Sequence, residues 1–436
     1  MKITREEQLT DERIAALQEK AWAKTWQHAW ARSPFYHEHL RRAGGTARNP
    51  IPLREIARVP TIDKSVLAGN SEAFQCVPPE RVVDIVTTSS TTGKPLVCPL
   101  TEADLQRLAL NEFHSFRCAG LSACDTVLLA VTLDRCFIAG MAYFLGLRLL
   151  GCAIVRVGPA TPMLGLEMLR RARVTAMVGV PSSLLLLAGK AAEAGLDPAK
   201  FGVRKLICIG ESIRERDFSL NRAGELLEQR WQARVYSTYG NTELAASLCE
   251  CDAGQGGHLH PESLFLEALD ETGRAAPDGR VGELTATTLG VEAMPLIRYR
   301  TGDFAAIYRE PCRCGRRALR IGPVVGRAGQ KLKLKGTTVF PGALKAVLDS
   351  FPEISAYVIV ARRDASGADA VEVRIARGGD QRRALCVLRE RFQGAVKVVP
   401  EITLAAAAQI EALQMPEGAR KRRYFVDLRQ PTASPA

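Results

Sequence analysis

The chain has no apolar run of about 18 uncharged residues, so no segment reads as a membrane-spanning helix. Met1 to Lys24 is charged throughout and lacks the apolar stretch that opens a secretory signal, so the expected location is cytoplasmic. Zinc-finger, RRM and homeodomain patterns are missing, and the basic residues are spread along the chain rather than gathered on one stretch. Nucleic acid is therefore not an expected partner. There is no internal repeat, which excludes solenoid and propeller architectures. A complete Walker A loop is absent too. The stretch Thr87 to Pro95 has Thr88 where the first glycine belongs, and Pro95 in place of the final Ser or Thr.

What is present fits a soluble globular enzyme. At 436 residues the chain exceeds one ordinary core, so two domains are expected. Apolar residues make up 47% and charged residues 24%. The net charge of +12 is read either as a solvated basic surface or as a field that draws in polyanions. Twelve cysteines without an export signal are expected to be reduced, with metal ligation reserved for a tight cluster. Cys76, Cys98, Cys118, Cys124, Cys136, Cys152, Cys208 and Cys386 are scattered and read as small hydrophobes.

Periodicity gives an α/β chain. Asp11 to Ala31 is helical in pattern. Strands are expected at 127–131, 153–157, 176–180, 205–209 and 234–236, with helices at 138–149, 163–173, 182–194 and up to Trp231 between them. Such alternation predicts parallel βαβ units, with ligand loops at the strands' carboxyl ends. Pro181-Ser182, Gly210-Glu211 and Tyr239-Gly240 fall at such ends. Beyond Gly326-Arg327 the pattern becomes a small α+β domain, with helices at 342–350 and 382–392 and strands at 356–361, 370–375 and 401–404. The expected division is a large N-terminal α/β domain, 1–326, and a small C-terminal domain, 327–436.

Three short stretches carry nucleotide chemistry. Thr87-Thr88-Ser89-Ser90-Thr91-Thr92-Gly93-Lys94-Pro95 is a hydroxyl- and glycine-rich turn with one lysine, suited to wrapping phosphate oxygens. Tyr239-Gly240-Asn241-Thr242-Glu243 offers one carboxylate after a strand. Arg298-Tyr299-Arg300-Thr301-Gly302-Asp303 ends in a carboxylate after a tight turn. As isolated strings the three also read as a Ser/Thr-Gly-Pro turn, a loop with a surface glutamate and a charged surface turn. Together they resemble the adenylate-forming superfamily, and most closely its phenylacetate–CoA ligase branch; Ser33-Pro34-Phe35-Tyr36 adds to that resemblance.

The resemblance spans roughly Ser33 to Arg429. It implies ATP-dependent activation of an aromatic carboxylic acid to an acyl-adenylate, then thioester formation with coenzyme A. Thr88, Ser89, Thr91, Thr92, Gly93 and Lys94 would cradle phosphates. Thr242 would contact the α-phosphate, Glu243 would hold Mg2+, Tyr239 and Gly240 would lie by adenine with Gly210 and Glu211, and Asp303 would accept the ribose hydroxyls. Arg327 would sit at a hinge, and the small domain would rotate about 326–329. Counting back from Asp427-Leu428-Arg429 assigns the catalytic lysine to Lys421, with Gly418 near it rather than next to it. Two further departures from the branch are Ser90 for a glycine and Gly329 for an aspartate. A carrier-protein pantetheine thiol, an amine or an alcohol are alternative acceptors, a catalytically silent nucleotide-binding protein is the alternative of another class, and homodimerisation is left open.

A second group stands apart from ATP. Cys249-Glu250-Cys251, Gly257-His258-Leu259-His260 and Cys312-Arg313-Cys314-Gly315-Arg316 could give a closed four-ligand zinc shell. Matching to the branch selects Cys251, His258, Cys312 and Cys314 for a structural Zn2+. The other reading is reduced cysteines without metal.

Overall fold

The structure is a computed structural model and describes residues 9–88, 96–159, 161–334, 337–364, 368–377, 381–416 and 422–429. The chain divides into two compact units, Met1–Pro323 and Val324–Ala436.

The first unit opens with α1 (Asp11–Arg32) and α2 (Pro34–Arg42). Thr10 caps α1, and Ser33 caps α2 with Pro34 preset for its first turn. Two short helices follow, α3 (Lys64–Gly69) and α4 (Ser71–Phe74). The hairpin β1 (Asp84–Thr87) and β2 (Val97–Leu100) flanks the hydroxyl-rich turn. Next is α5 (Glu102–Cys118), opened by a reciprocal Thr101–Asp104 capping box.

The alternation then appears as β3 (Thr126–Ala130), α6 (Ile138–Leu150), β4 (Ala153–Arg156), α7 (Pro162–Arg171), β5 (Ala176–Gly179), α8 (Pro181–Glu193), β6 (Lys205–Ile209), α9 (Arg222–Trp231) and β7 (Arg234–Asn241). The sheet order is β4-β3-β5-β6-β7, all parallel, closed on one edge by antiparallel β8 (Ala246–Cys249). Its central strands β3, β5 and β6 are nearly continuous apolar runs, as strands covered on both faces demand. Leu128, Met177, Leu206 and Val235 pack with Leu184, Leu227 and Trp231 from the covering helices.

Two expectations need correction. The strand near 234–236 runs on to Asn241, because β8 pairs back onto residues 238–241. Tyr239-Gly240-Asn241 is therefore strand rather than loop. The helix expected to reach Arg173 stops at Arg171, and Arg173 takes a positive φ of 47°.

A second, antiparallel sheet has no counterpart in the periodicity reading. It contains β9 (Gly257–His258), β10 (Leu264–Leu269), β11 (Val281–Thr288), β12 (Tyr299–Tyr308) and β13 (Arg320–Ile321), in the order β10-β11-β12-β13-β9. Gly256, with φ +96° and the Ile321 carbonyl 2.3 Å from where a Cβ would stand, admits only glycine.

The second unit begins with β14 (Gly326–Arg327). A hairpin of β15 (Leu332–Leu334) and β16 (Thr337–Val339) leads to α10 (Pro341–Asp349). β17 (Ile354–Arg363) pairs antiparallel with β18 (Asp369–Arg377); α11 (Gln381–Val396), β19 (Glu401–Leu404), α12 (Ala407–Gln414) and β20 (Phe425–Asp427) complete it. The sheet order is β19-β18-β17-β20. One face packs Ile359, Val373 and Ile375 on Leu344, Leu388 and Phe392, and the other packs Val358 and Val360 on Ile410.

Candidate active site and metal centre

β12 carries both ends of the candidate nucleotide site. At its start, the Tyr299 hydroxyl donates to Glu243 Oε1 at 3.3 Å. Glu243 follows β7 on a single 3-10 turn, Thr242–Leu244, which is closed by Ala245 in the left-handed region and fixed by Asn241 Oδ1 accepting from the Glu243 N–H. Its carboxylate is nearly enclosed, with 7% of the side chain exposed. Burial, with this carboxylate beside it, pushes the Tyr299 phenol far up, so it stays a donor.

Lys64 completes this end. Its ammonium donates to Glu243 Oε1 and to Thr88 Oγ1, both at 3.1 Å. Thr88 Oγ1 also accepts from the Leu96 N–H at 3.1 Å, which pins the stem of the hydroxyl-rich turn. Ser89, Thr91, Thr92, Gly93 and Lys94 lie outside the described residues, as does Lys421. The sequence reading did not single out Lys64. The signal for it was the Asp63 cap that seats it on the first turn of α3, but that signal has no chemistry of its own.

At the other end the Tyr239 hydroxyl donates to Asp303 Oδ2 at 2.9 Å. Asp303 is buried, and its N–H is held by Thr301 Oγ1 after Gly302 turns the chain at φ +77°. The structure thus joins Thr88 to Glu243 through Lys64 near the start of β12, and Tyr239 to Asp303 in the middle of that strand; Gly240 lies next to Tyr239 on β7 and Thr242 opens the turn that carries Glu243. Glu211 follows Gly210, itself at φ +72°, and accepts from both the N–H and the hydroxyl of Ser182 at 3.0 and 2.7 Å. It therefore caps the N-terminus of α8.

Arg298 serves the site indirectly. It is buried, with its guanidinium on both oxygens of Glu267 at 2.9 Å and on the carbonyls of Ala57 and Val59. Its own carbonyl accepts from Ile62, and Arg300 donates back to Ile62. This stapling sets the segment that delivers Lys64.

In the second unit Arg327 is exposed on β14. Gly326 is obligatory, since a Cβ would meet the Phe340 ring at 2.1 Å. Arg429 donates to the carbonyls of Gly329 and Lys331 and to Asp369 and Asp427, which ties the residues after Arg327 to the last strand.

The metal ligands form a separate cluster. The ligand atoms of Cys251, His258, Cys312 and Cys314 all lie within 4.8 Å of one another. Cys251 Sγ is 3.7 Å from Cys312 Sγ and 3.4 Å from His258 Nε2, and Cys314 Sγ is 3.7 Å from His258 Nε2. A tetrahedron with metal–sulfur bonds of about 2.3 Å has edges of about 3.8 Å, so the donors fit a closed zinc shell. The Ala253 N–H points at Cys251 Sγ and Arg316 Nη1 at Cys314 Sγ, as thiolates need. Hydrogen bonds from Cys251 and Cys312, with His258 behind them, push the Cys314 thiol down. Cys249 and His260 stay out of the cluster. Cys249 accepts from Thr238, and His260 Nε2 pairs with Ser115 Oγ at 3.0 Å.

Residues 5–292 match the family model described as AMP-binding enzyme. The chain belongs to that family. Within it, the chain is a member of the phenylacetate–CoA ligase-like branch of adenylate-forming enzymes. It is 29% identical to the phenylacetate-coenzyme A ligase of Thermus thermophilus over 85% of this chain and 82% of that one. It is 26% identical to that of Escherichia coli over 91% and 92%. Among solved structures, 2-hydroxyisobutyryl-CoA ligase in a postadenylation state has the same fold. Its TM-score is 0.83 at 21% identity, covering 97% of this chain and 91% of that one. The layout found here is a large α/β unit followed by a small α+β unit, as the resemblance implied. Among the described residues no helix is long and apolar enough to cross a membrane.

Proposed function

We propose that the protein activates an aromatic carboxylic acid with ATP and passes the acyl group to coenzyme A. The observation that carries this reading is the placement of Lys64, Thr88 and Glu243 at one end of β12 and of Tyr239 and Asp303 farther along it. That arrangement supplies cation, hydroxyl and carboxylate for phosphates, and a carboxylate for ribose. Both reactants are anions, so the residues act by orientation and charge neutralisation.

In the first step a carboxylate oxygen of the acid bonds to the α-phosphorus, and the bond from that phosphorus to the α,β-bridging oxygen breaks, releasing pyrophosphate. In the second the thiol sulfur bonds to the acyl carbon, its proton leaves to solvent, and AMP departs. Lys64 and Thr88 would hold phosphate oxygens, together with Ser89, Thr91, Thr92, Gly93 and Lys94 of the same turn. Thr242 would meet the α-phosphate, and Asp303 the ribose, with Tyr239, Gly240, Gly210 and Glu211 beside the base. Lys421 would neutralise charge during adenylation, and Arg327 would take part in the turn between steps. Glu243 would hold Mg2+, which supplies charge neutralisation at the phosphates. Cys251, His258, Cys312 and Cys314 would hold a structural Zn2+.

The test is pyrophosphate release with benzoates, phenylacetates and cinnamates, followed by product mass with coenzyme A present. Acid-dependent release and an acyl-CoA mass are expected. Release without acyl-CoA moves the acceptor to a carrier-protein thiol, an amine or an alcohol. ATP binding with no release for any acid overturns the enzymatic reading.

A further inference from the structure

One buried carboxyl is used by none of the steps above. Glu112 lies on α5 and is 2% exposed. Its Oε2 accepts from the Ser247 hydroxyl at 2.7 Å; among the described residues no donor reaches Oε1. Ser247 is otherwise spoken for, with its N–H on Asn111 Oδ1 and its hydroxyl 3.2 Å from Ser115. Burial holds the Glu112 carboxyl up to about 8, with no cation against it. The titratable groups nearest it are Tyr143 of α6 and Cys249 of β8, both driven up by burial and hence uncharged.

The register of β7 and β8 places Glu112 behind the nucleotide strand. Gly240 pairs with Ser247 and Thr238 with Cys249. Paired residues of an antiparallel ladder project to the same face, so Thr238, Gly240, Ser247 and Cys249 share one. α5 closes that face through Glu112 and Ser115, and α6 closes over α5 at Gly146, where a Cβ would stand 2.4 Å from Glu112 Cβ. Phe116 and Tyr143 meet edge to face there, ring centroids 5.8 Å apart. Gly240 is exposed and has no positive φ, and a Cβ on it would make only ordinary contacts, 3.5 Å to Ser247 Cβ. Neither backbone strain nor crowding calls for glycine. Its missing side chain leaves room over the strand between Tyr239 and Thr242.

We propose that this room, bounded by the β7–β8 face and by α5 and α6, receives the acyl group, and that Glu112 sets specificity by selecting an acid whose far end bears a hydroxyl or aromatic amino group. The inference rests on the acid-activating reading above. Such a group both accepts and donates a hydrogen bond, which is what a neutral carboxyl with one unengaged oxygen asks for. A purely apolar ring would leave that oxygen buried and unpaired, and sites built to pair a polar group discriminate strongly against ligands lacking it. Phe116 and Tyr143 supply the aromatic walls.

The test compares pyrophosphate release by wild type, Glu112→Gln and Glu112→Leu. The substrates are benzoate, phenylacetate and their ring-hydroxy and ring-amino derivatives. Wild type should favour the substituted acids at least tenfold in kcat/KM, carried mainly by KM. Glu112→Leu should lose or reverse that preference, and Glu112→Gln should keep most of it. Equal changes for substituted and unsubstituted acids overturn the inference, as does a wild type that prefers the unsubstituted acids. A wild type inert to every acid overturns the underlying reading, and this inference with it. If Glu112→Leu does not fold, Gly240→Ala decides. It should raise KM for the substituted acids more than for benzoate, and an equal rise overturns the pocket.

Discussion

Lys64 bridges two acceptors that are 24 and 179 positions from it in sequence. That separation is why no local pattern announced it, whereas the Tyr239–Glu243 and Arg298–Asp303 strings were legible as contiguous chemistry. Lys64→Met should lower kcat/KM for adenylation by on the order of tenfold or more, the worth of hydrogen bonds to a charged group; a wild-type value would remove it from the site. Asp303→Ala should weaken ATP binding by roughly ten- to a hundredfold on the same scale. Calorimetry on the folded variant checks this, and unchanged affinity contradicts the ribose role. Glu112 makes a pH prediction. Its folded value is raised from 4.5 to about 8, so the folded state binds the proton more tightly than the unfolded state does. The stability it contributes is complete below about pH 4.5 and is lost as pH rises through 8. Across that window, urea melts should show wild type losing ground to Glu112→Gln by up to ~1.4 kcal/mol per pH unit. A constant difference between the two would refute the assignment.

The βαβ elements were readable because their strands are short apolar runs between amphipathic helices. The antiparallel sheet from β9 to β13 was not. Strands such as Val281–Thr288 are buried almost throughout and show no clean alternation. The extension of β7 was hidden for another reason: β6 pairs with it only as far as Thr238, and the return of β8 carries the strand on through Tyr239–Asn241. The metal cluster is the opposite case. Cysteine and histidine pairs are visible one by one, and matching to the branch selected Cys251 over Cys249 and His258 over His260; the contacts that occupy the other two, Thr238 on Cys249 and Ser115 on His260, come from distant parts of the chain and leave no local signal. Purified protein should contain about one zinc per chain. Chelation and Cys314→Ser should each lower the melting temperature, because a ligand bound only by the folded state stabilises it. Elemental analysis without zinc, after growth in zinc-replete medium, would sink the metal assignment.

At the scale of the whole chain, the two units have separate cores, and the small one was legible in its order of helices and strands from α10 to β19, whereas β14, β15 and β16 before it and α12 and β20 after it were not. Those last elements are short and lie beside a basic run that the sequence shows only as charge. Lys421→Ala should slow adenylation by on the order of 10²–10³ while sparing the thiol step. Equal losses in both half-reactions would move the role elsewhere.

The Arg298 staple has a further consequence. It joins residues 57–62 to β12 through a buried guanidinium, two carbonyls and the reciprocal Ile62 pairing. The cation that opens α3 and the carboxylate at position 303 therefore belong to one cooperative opening unit. Amide protons of Ile62 and Arg300 should exchange with solvent at a common rate, and ATP should slow both by the same factor. Arg298→Lys keeps the charge and loses the fork. It should let those amides exchange separately, so that occupancy at the ribose end no longer protects the segment carrying Lys64.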